Sequence, residues 1–313
     1  MTRRRLVVAV VAVAALLLAC GGGEGGGTAD GVHARANGIV GTRTRALANG
    51  SLVAAGQDID DALLLAILED PRVPELRDVE LFDNALSAEG VRTLLTHAKT
   101  ARPRTLHLGS NPIGDEGLLA LAASDRLLTV ENLYVGKVGA TASGMAALAR
   151  SPHTASLKLV QVGFQPLGDD GATALVELRT GAMLLDEAGI GGVGARALLA
   201  GTVAPALSLD GNSVGAGGLV GLRALAPTLV SVSLERAGLG AADAAALAGV
   251  PAPALRHLSL SYAHFGDDGV RALLAAPWFA QLASLDVTGT GASAETYAAL
   301  RAAWGERPGL SAG

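Results

Sequence analysis

The sequence predicts an α/β solenoid of about nine repeats, with parallel strands on its concave face and helices on its convex face. An L-x-L pair, a glycine-containing turn and an Ala/Leu-rich stretch follow one another and return at spacings of 27, 27, 24, 26, 24, 25, 26 and 27 residues. This regularity indicates stacked units that share one core. Composition agrees, because 50% of the residues are hydrophobic but only 3% are aromatic, which suits thin layers of Leu, Val and Ala. The anchor residues are Leu81, Leu108, Val135, Leu159, Leu185, Leu209, Leu234, Leu260 and Val287.

The first twenty residues, MTRRRLVVAVVAVAALLLAC, predict an export signal. Three arginines precede an uncharged stretch of about fourteen apolar residues, fewer than the roughly 20 that span a bilayer as a helix. Residues Leu17 to Cys20 resemble the lipobox of bacterial lipoproteins. The resemblance implies a signal peptide at 1–19, lipid attachment at Cys20 and a bacterial cell envelope location. Because Gly21 follows Cys20 where an Asp often retains such proteins at the inner membrane, the outer membrane is slightly favoured.

Residues 20–50 predict a flexible tether and linker, since they begin with GGGEGGG and show no clear periodicity. Cys20 is the only cysteine, so no internal disulfide is expected. Removing the signal and its three arginines leaves 21 basic against 29 acidic side chains. This balance argues against nucleic-acid binding.

Both ends of the repeat array read as caps. Residues 51–78 predict an N-terminal helical cap, because DIDDALLLAILEDP has acidic residues in its first turn and a proline stop. The repeats occupy 79–292. Residues 293–313 predict a C-terminal capping helix and tail, with Ser293 as the N-cap. Caps of atypical sequence are expected at the ends of solenoids.

The frame L-x-L-x-x-N-x-I-G-x-x-G-x-x-x-L-A resembles the ribonuclease-inhibitor type of leucine-rich repeat, over about 79–304. The Leu-x-Leu alternation predicts a strand with one buried face. Strands pack more closely than helices, so the stack should curve with its strands inside. The column that holds Asn in that family has few amides here, which predicts a less rigid horseshoe with its middle repeats softest. That column holds Asn84, Asn111, Val138, Val162, Ala188, Asn212, Ala237, Ala263 and Thr290.

The strand side chains that point away from the core predict a binding surface on the concave face. Aromatic side chains fall in the first three repeats and acids toward the C-terminal end, so the face should have an aromatic half and an acidic half. The candidate binding residues are Phe82, His107, Tyr134, Lys158, Asp186, Asp210, Glu235 and Asp286. The same register adds Glu80, Gly109, Gly136, Val160, Ser208, Ser233, Ser259, Ser261 and Thr288.

Two motifs suggest chemistry until the repeat register is applied. GIGGVG (189–194) fits a dinucleotide-binding turn, and GNSVG (211–215) fits a nucleophile elbow around Ser213. Both match ordinary columns of the repeat. A hydrolase would need Ser213 with Asp243 or Asp267 and His257 or His264, and it stays as an alternative. The histidines lack zinc-site spacing, and the acidic pairs suit helix starts, so no catalytic residue, metal or cofactor is predicted.

The sequence therefore predicts a lipid-anchored envelope protein whose leucine-rich-repeat body is a scaffold for protein–protein interaction. It contacts a membrane through the lipid at Cys20 and binds a protein partner, not nucleic acid. A structural or spacer solenoid without a dedicated partner is the second hypothesis.

Overall fold

The computed structural model describes residues 29–42 and 47–313, so Cys20 and most of the expected tether lie outside the described residues. Eleven strands form one parallel sheet in chain order, each bonded to the next. The strands are β1 Ser51–Val53, β2 Asp78–Glu80, β3 Thr105–His107, β4 Asn132–Tyr134, β5 Leu159–Gln161, β6 Ala182–Leu184, β7 Ala206–Ser208, β8 Ser231–Ser233, β9 His257–Ser259, β10 Ser284–Asp286 and β11 Leu310–Ser311. The predicted fold class, an α/β solenoid with strands on one face and helices on the other, is confirmed.

The helices alternate with the strands, and most pack against the next helix along the chain. They are α1 Ala29–Thr42, α2 Asp61–Glu69, α3 Ala88–Thr96, α4 Gly114–Ala123, α5 Ala142–Arg150, α6 Gly168–Ala174, α7 Gly192–Gly201, α8 Ala241–Ala248, α9 Gly266–Leu274 and α10 Ala294–Trp304. Within the described part of the chain, no helix has the length and apolarity needed to cross a membrane.

The middle residue of each strand enters a core of Leu, Val and Ala, and its neighbours face outward. Strand pairing is in register, so Val79 lies beside Leu106, Leu106 beside Leu133, and Leu133 beside Val160. This register corrects the fourth repeat, whose anchor is Val162 and not Leu159. Val160 is fully buried, so its expected place on the concave face is wrong.

Four buried or half-buried amides bridge the turns after the strands. Asn212 shows the pattern: its Oδ1 accepts from the backbone N of Ala188 and Ile190 at 2.9 and 3.0 Å, and its Nδ2 donates to two backbone carbonyls at 2.8 Å. Asn84 and Asn111 act in the same way. The fourth amide is Gln165, which accepts from the backbone N of Val138 and Ala140. Each amide forms hydrogen bonds with the turn of its own repeat and with the turn one repeat earlier, so four side chains stabilise more than four turns.

With one exception, every second repeat carries, in the first turn of its helix, an aspartate that contacts the start of the next helix. Asp61, Asp115, Asp169 and Asp267 lie in the first turn of α2, α4, α6 and α9. Each accepts the backbone N–H of the residue that N-caps the next helix, which is Ser87, Thr141, Gly191 or Ser293. We call the units that carry these four residues aspartate units. Besides favouring the positive helix end, these carboxylates tie neighbouring repeats together.

One repeat in this alternating series has no helix. Ala216 stands where the other units carry Asp, and no helix forms between β7 and β8. Asp243, from the following unit, is fully buried and accepts instead from the backbone N of Gly217, Leu219 and Gly240 at 2.7–2.9 Å. A buried carboxylate with three N–H donors is thereby compensated, and it fixes the loop that replaces the helix.

The ends are more regular than the sequence suggests. Residues 51–78, expected to be a helical cap, contain β1 in register with β2, so they form a tenth strand–turn–helix unit. The outer layer there is α1, within the expected linker 20–50, and it packs on α2. In the expected tail, Leu310–Ser311 pairs with β10, and the Trp304 indole Nε1 donates to the Arg307 carbonyl. Backbone pairing and one buried indole therefore order the tail.

Candidate binding face

The concave face consists of three columns of outward-pointing residues, two from each of β1 to β10 and one from the segment that follows each strand. The first column is Ser51, Asp78, Thr105, Asn132, Leu159, Ala182, Ala206, Ser231, His257 and Ser284. The second is Val53, Glu80, His107, Tyr134, Gln161, Leu184, Ser208, Ser233, Ser259 and Asp286. The third is Ala55, Phe82, Gly109, Gly136, Gly163, Asp186, Asp210, Glu235, Ser261 and Thr288.

An aromatic cluster lies at the N-terminal end of this face. The Phe82 and His107 ring centroids are 5.1 Å apart, and the His107 and Tyr134 centroids are 4.7 Å apart, with ring planes tilted by 40° and 42°. Such tilted contacts are favourable beyond the area they bury. Burial lowers the pKa of His107 to about 4, so its ring is neutral at physiological pH. We call Phe82, His107 and Tyr134, with Glu80 beside them, the aromatic cluster.

Glycine follows the aromatic cluster in the third column because the strand ends approach one another closely. A Cβ on Gly163 would lie 2.8 Å from the backbone N of Asp186, and one on Gly109 would lie 3.2 Å from the Gly136 carbonyl oxygen. The same Cβ on Gly109 would lie 3.4 Å from the Phe82 ring. Gly109 therefore leaves the face open beside the Phe82 ring, whereas the Gln161 amide lies over Gly136 and accepts from its backbone N at 3.2 Å.

The acids of the C-terminal half are largely held by their own neighbours. Asp186 accepts from the Ser208 hydroxyl and from the backbone N of Asp210. Asp210 repeats the pattern, accepting from Ser233 Oγ at 2.5 Å and from the Glu235 backbone N at 2.8 Å. This chain of Ser–Asp contacts orders the face. It also leaves these two carboxylates less available to a partner than the sequence implies.

Burial raises the pKa of Asp186 to about 6, an increase to which the charges of Asp210 and Glu187 also contribute. The hydrogen bonds from Ser208 and the Asp210 backbone N act in the opposite direction without cancelling it. Toward the C-terminal end, Glu235 pairs with Arg236 at 3.0 Å, and Asp286 accepts from the Thr288 backbone N at 2.9 Å.

Lys158 does not lie on the concave face, which corrects the sequence-based assignment. It precedes β5, where its Nζ lies 2.7 Å from the Glu131 carboxylate, and Arg104 contacts the same carboxylate at 3.0 Å. The positions assigned to Lys158 and Val160 belong to Leu159 and Gln161. The similarity of QPLGDDG (165–171) to NPIGDEG (111–117) could have revealed this register and Gln165 together.

The hydrogen bonds around Ser213 do not assemble the alternative catalytic triad. Ser213 is exposed, whereas Asp243 is buried and bonded to three backbone N–H groups. The Asp267 carboxylate accepts from Ser293, and His257 Nδ1 contacts Ser284 Oγ at 2.8 Å. Across residues 29–42 and 47–313, no cluster of three or more His, Cys, Asp or Glu side chains could hold a metal ion.

A leucine-rich-repeat family model matches residues 104–122 and 253–274. Both matches fall in aspartate units, one containing β3 and α4 and the other β9 and α9. No curated protein matches the chain. Two segments thus match a leucine-rich-repeat model, and the single parallel sheet with its alternating helices has the architecture of that fold.

Three solved structures resemble the fold at low identity. The yeast Rad7–Elc1 complex matches at 16% identity and a TM-score of 0.42, covering 82% of this chain and 72% of that one. The mouse RP105/MD-1 complex matches at 14% and 0.42, covering 70% of this chain but only 39% of that one. An internalin (inlF) from Listeria monocytogenes matches at 14% and 0.37, covering 91% and 93%. None of these likenesses is close enough to indicate a function.

Proposed function

We propose that this protein binds a protein partner through its concave face, while a lipid on Cys20 holds it in a bacterial cell envelope. The observation that carries the binding proposal is the aromatic cluster. The whole chain has only four Phe, three Tyr and two Trp, yet Phe82 and Tyr134 pack against His107 on the concave face and not in the core. Aromatic anchors of this kind supply much of the affinity of protein interfaces.

The binding proposal is tested by crosslinking in intact cells, followed by affinity capture of the tagged full-length chain. Phe82→Ala/Tyr134→Ala should lose the crosslinked partner. Tyr262→Ala is the matched control, because that ring is 52% exposed but lies beyond the three concave columns. Partner recovery that is unchanged in the double variant would contradict the use of this face.

The anchoring proposal rests on the lipobox-like residues Leu17 to Cys20 and is tested separately. Cys20→Ser should move the protein from the membrane fraction to the soluble fraction and abolish labelling by a fatty-acid analogue. Membrane association that persists in the variant would contradict the anchor. Separating inner and outer membranes then tests the outer-membrane preference suggested by Gly21.

A spacer role is the second candidate, favoured by the internal engagement of Asp186 and Asp210. In that case the length of the array matters and its face does not. Deleting a two-repeat unit that lies outside the aromatic cluster, residues 159–205, should then abolish the cellular phenotype, while Phe82→Ala/Tyr134→Ala leaves it intact. The reverse outcome favours binding.

A further inference from the structure

The concave face carries charge of one sign only. Among its thirty positions, all within the described residues, six are carboxylates and none is Lys or Arg, although the chain has 24 basic residues. Basic side chains such as Lys158 and Arg104 are displaced to the strand entrances. A sheet face with this charge is complementary to a basic partner. The six acids are Asp78, Glu80, Asp186, Asp210, Glu235 and Asp286.

Glu80 is the acid least engaged within the protein. Asp186, Asp210 and Asp286 accept N–H or O–H bonds, Glu235 pairs with Arg236, and a hydroxyl lies near Asp78. In the described part of the chain, no hydrogen bond or ion pair reaches the Glu80 carboxylate.

Glu80 also lies in a setting that favours a cation. Burial and then the charge of Asp78 raise the pKa of Glu80, because its ionised form is poorly solvated and lies near another negative charge. The charge of Glu80 in turn contributes, after burial, to raising the pKa of Tyr134, which places this carboxylate near the aromatic rings. A cation held at this position would relieve the unfavourable environment of Glu80.

We infer that the aromatic cluster receives an arginine side chain from a basic segment of the partner, an inference that rests on the proposed binding function. The guanidinium lies against the rings of Phe82, His107 and Tyr134 and bonds to the Glu80 carboxylate. Arginine fits better than lysine, because its planar group stacks on aromatic rings and forms paired hydrogen bonds to a carboxylate. The neutral His107 ring adds no repulsion, and Gly109, which has no side chain, lies beside the Phe82 and His107 rings.

The test measures binding of three fluorescent peptides to the purified full-length chain in about 150 mM salt, where long-range attraction is screened. The peptides contain repeated Gly-Ser-Arg, Gly-Ser-Lys or Gly-Ser-Gln. We expect the arginine peptide to bind at least threefold more tightly than the lysine peptide, and the glutamine peptide not to bind. Equal affinity for arginine and lysine would overturn the stacking geometry.

Two isosteric variants then locate the site. Glu80→Gln should weaken binding of the arginine peptide at least fivefold, whereas Asp286→Asn, which removes the same charge at the other end of the face, should change it less than twofold. Equal losses of affinity in both variants would show that binding depends on the overall negative charge of the face. That result would refute the assigned site. Melting curves of both variants establish that they fold.

The peptide assay does not require the natural partner, so its result can be interpreted independently of the capture experiment. A captured partner that is lost in Phe82→Ala/Tyr134→Ala but retained in Glu80→Gln overturns the arginine contact and leaves the binding function standing. Failure of the capture experiment together with arginine-specific peptide binding removes the proposed function alone.

Discussion

Replacing Asp186 by Asn should stabilise the protein at neutral pH. The folded protein raises the pKa of this carboxyl from 3.8 to about 6, mainly through burial. At about 1.4 kcal/mol per pKa unit, keeping Asp186 ionised above pH 6 costs the folded state at most about 3 kcal/mol. Asn keeps the acceptor oxygen for Ser208 Oγ and the Asp210 backbone N, so the hydrogen bonds survive while the charge disappears.

The sign of the pH dependence follows from the raised pKa. Below about pH 4 the carboxyl is protonated in both folded and unfolded chains, so Asp186→Asn and wild type should be equally stable. Between about pH 4 and 6 the folded chain binds more protons than the unfolded chain, and wild type loses stability relative to the variant as pH rises. Above that range, the variant should be more stable by about 1–3 kcal/mol.

The assay is urea denaturation of the purified full-length chain at several pH values between 4 and 7.5. The free energy of unfolding is compared at each pH, because other groups titrate in the same range. Asp286→Asn controls for removing one acid from the same face. The reasoning is refuted if Asp186→Asn is less stable than wild type at pH 7.5, or if the difference between them does not change with pH.

Two further substitutions test the packing. Asn212→Ala removes four hydrogen bonds of a buried amide and should destabilise the fold by about 2–4 kcal/mol, with faster hydrogen exchange at the Ala188 and Ile190 amides. Asn132→Ala, which loses one 3.5 Å contact, is its control, and equal stability of both variants would contradict the bridging role. Gly163→Ala should cost at least about 2 kcal/mol because its Cβ meets the Asp186 backbone, whereas Gly41→Ala on α1 has open space and should be neutral or stabilising by up to about 1 kcal/mol. Similar melting temperatures for these two glycine variants would show that the strand ends can separate.

The two-repeat alternation explains how a chain with few ladder amides remains regular. Asp115 accepts from the backbone N of Thr141 and Gly144 at 2.7 and 3.1 Å, and from Thr141 Oγ at 2.6 Å. Burial alone would raise the pKa of Asp115, but these hydrogen bonds outweigh it and lower the pKa. The carboxylate thus links one helix to the next where the amide column holds Val138. The expectation that the middle repeats are softest stays a prediction.

Periodicity was sufficient to predict the architecture and most of the candidate face. Once the L-x-L frame is aligned, Phe82, His107 and Tyr134 must lie on neighbouring strands and point the same way, because strand side chains alternate with a period of two. The same logic failed at Lys158, since the fourth repeat carries an apolar residue at each of Leu157, Leu159 and Val160. An alternation pattern cannot choose its own register when both faces look apolar.

The sequence by itself determined the repeat, its parallel strand order and the polarity of its concave face, because each depends on spacing along the chain. Only the tertiary structure decided which acids are free. Asp186 and Asp210 are bound by serines and amides 22–25 residues away, contacts that exist only after neighbouring repeats stack. Stacking also places Glu80 beside His107 of the next strand, and within the described residues no counterion reaches its carboxylate. Local spacing fixes which way a side chain points, whereas its partners, burial and pKa depend on the repeat that packs against it.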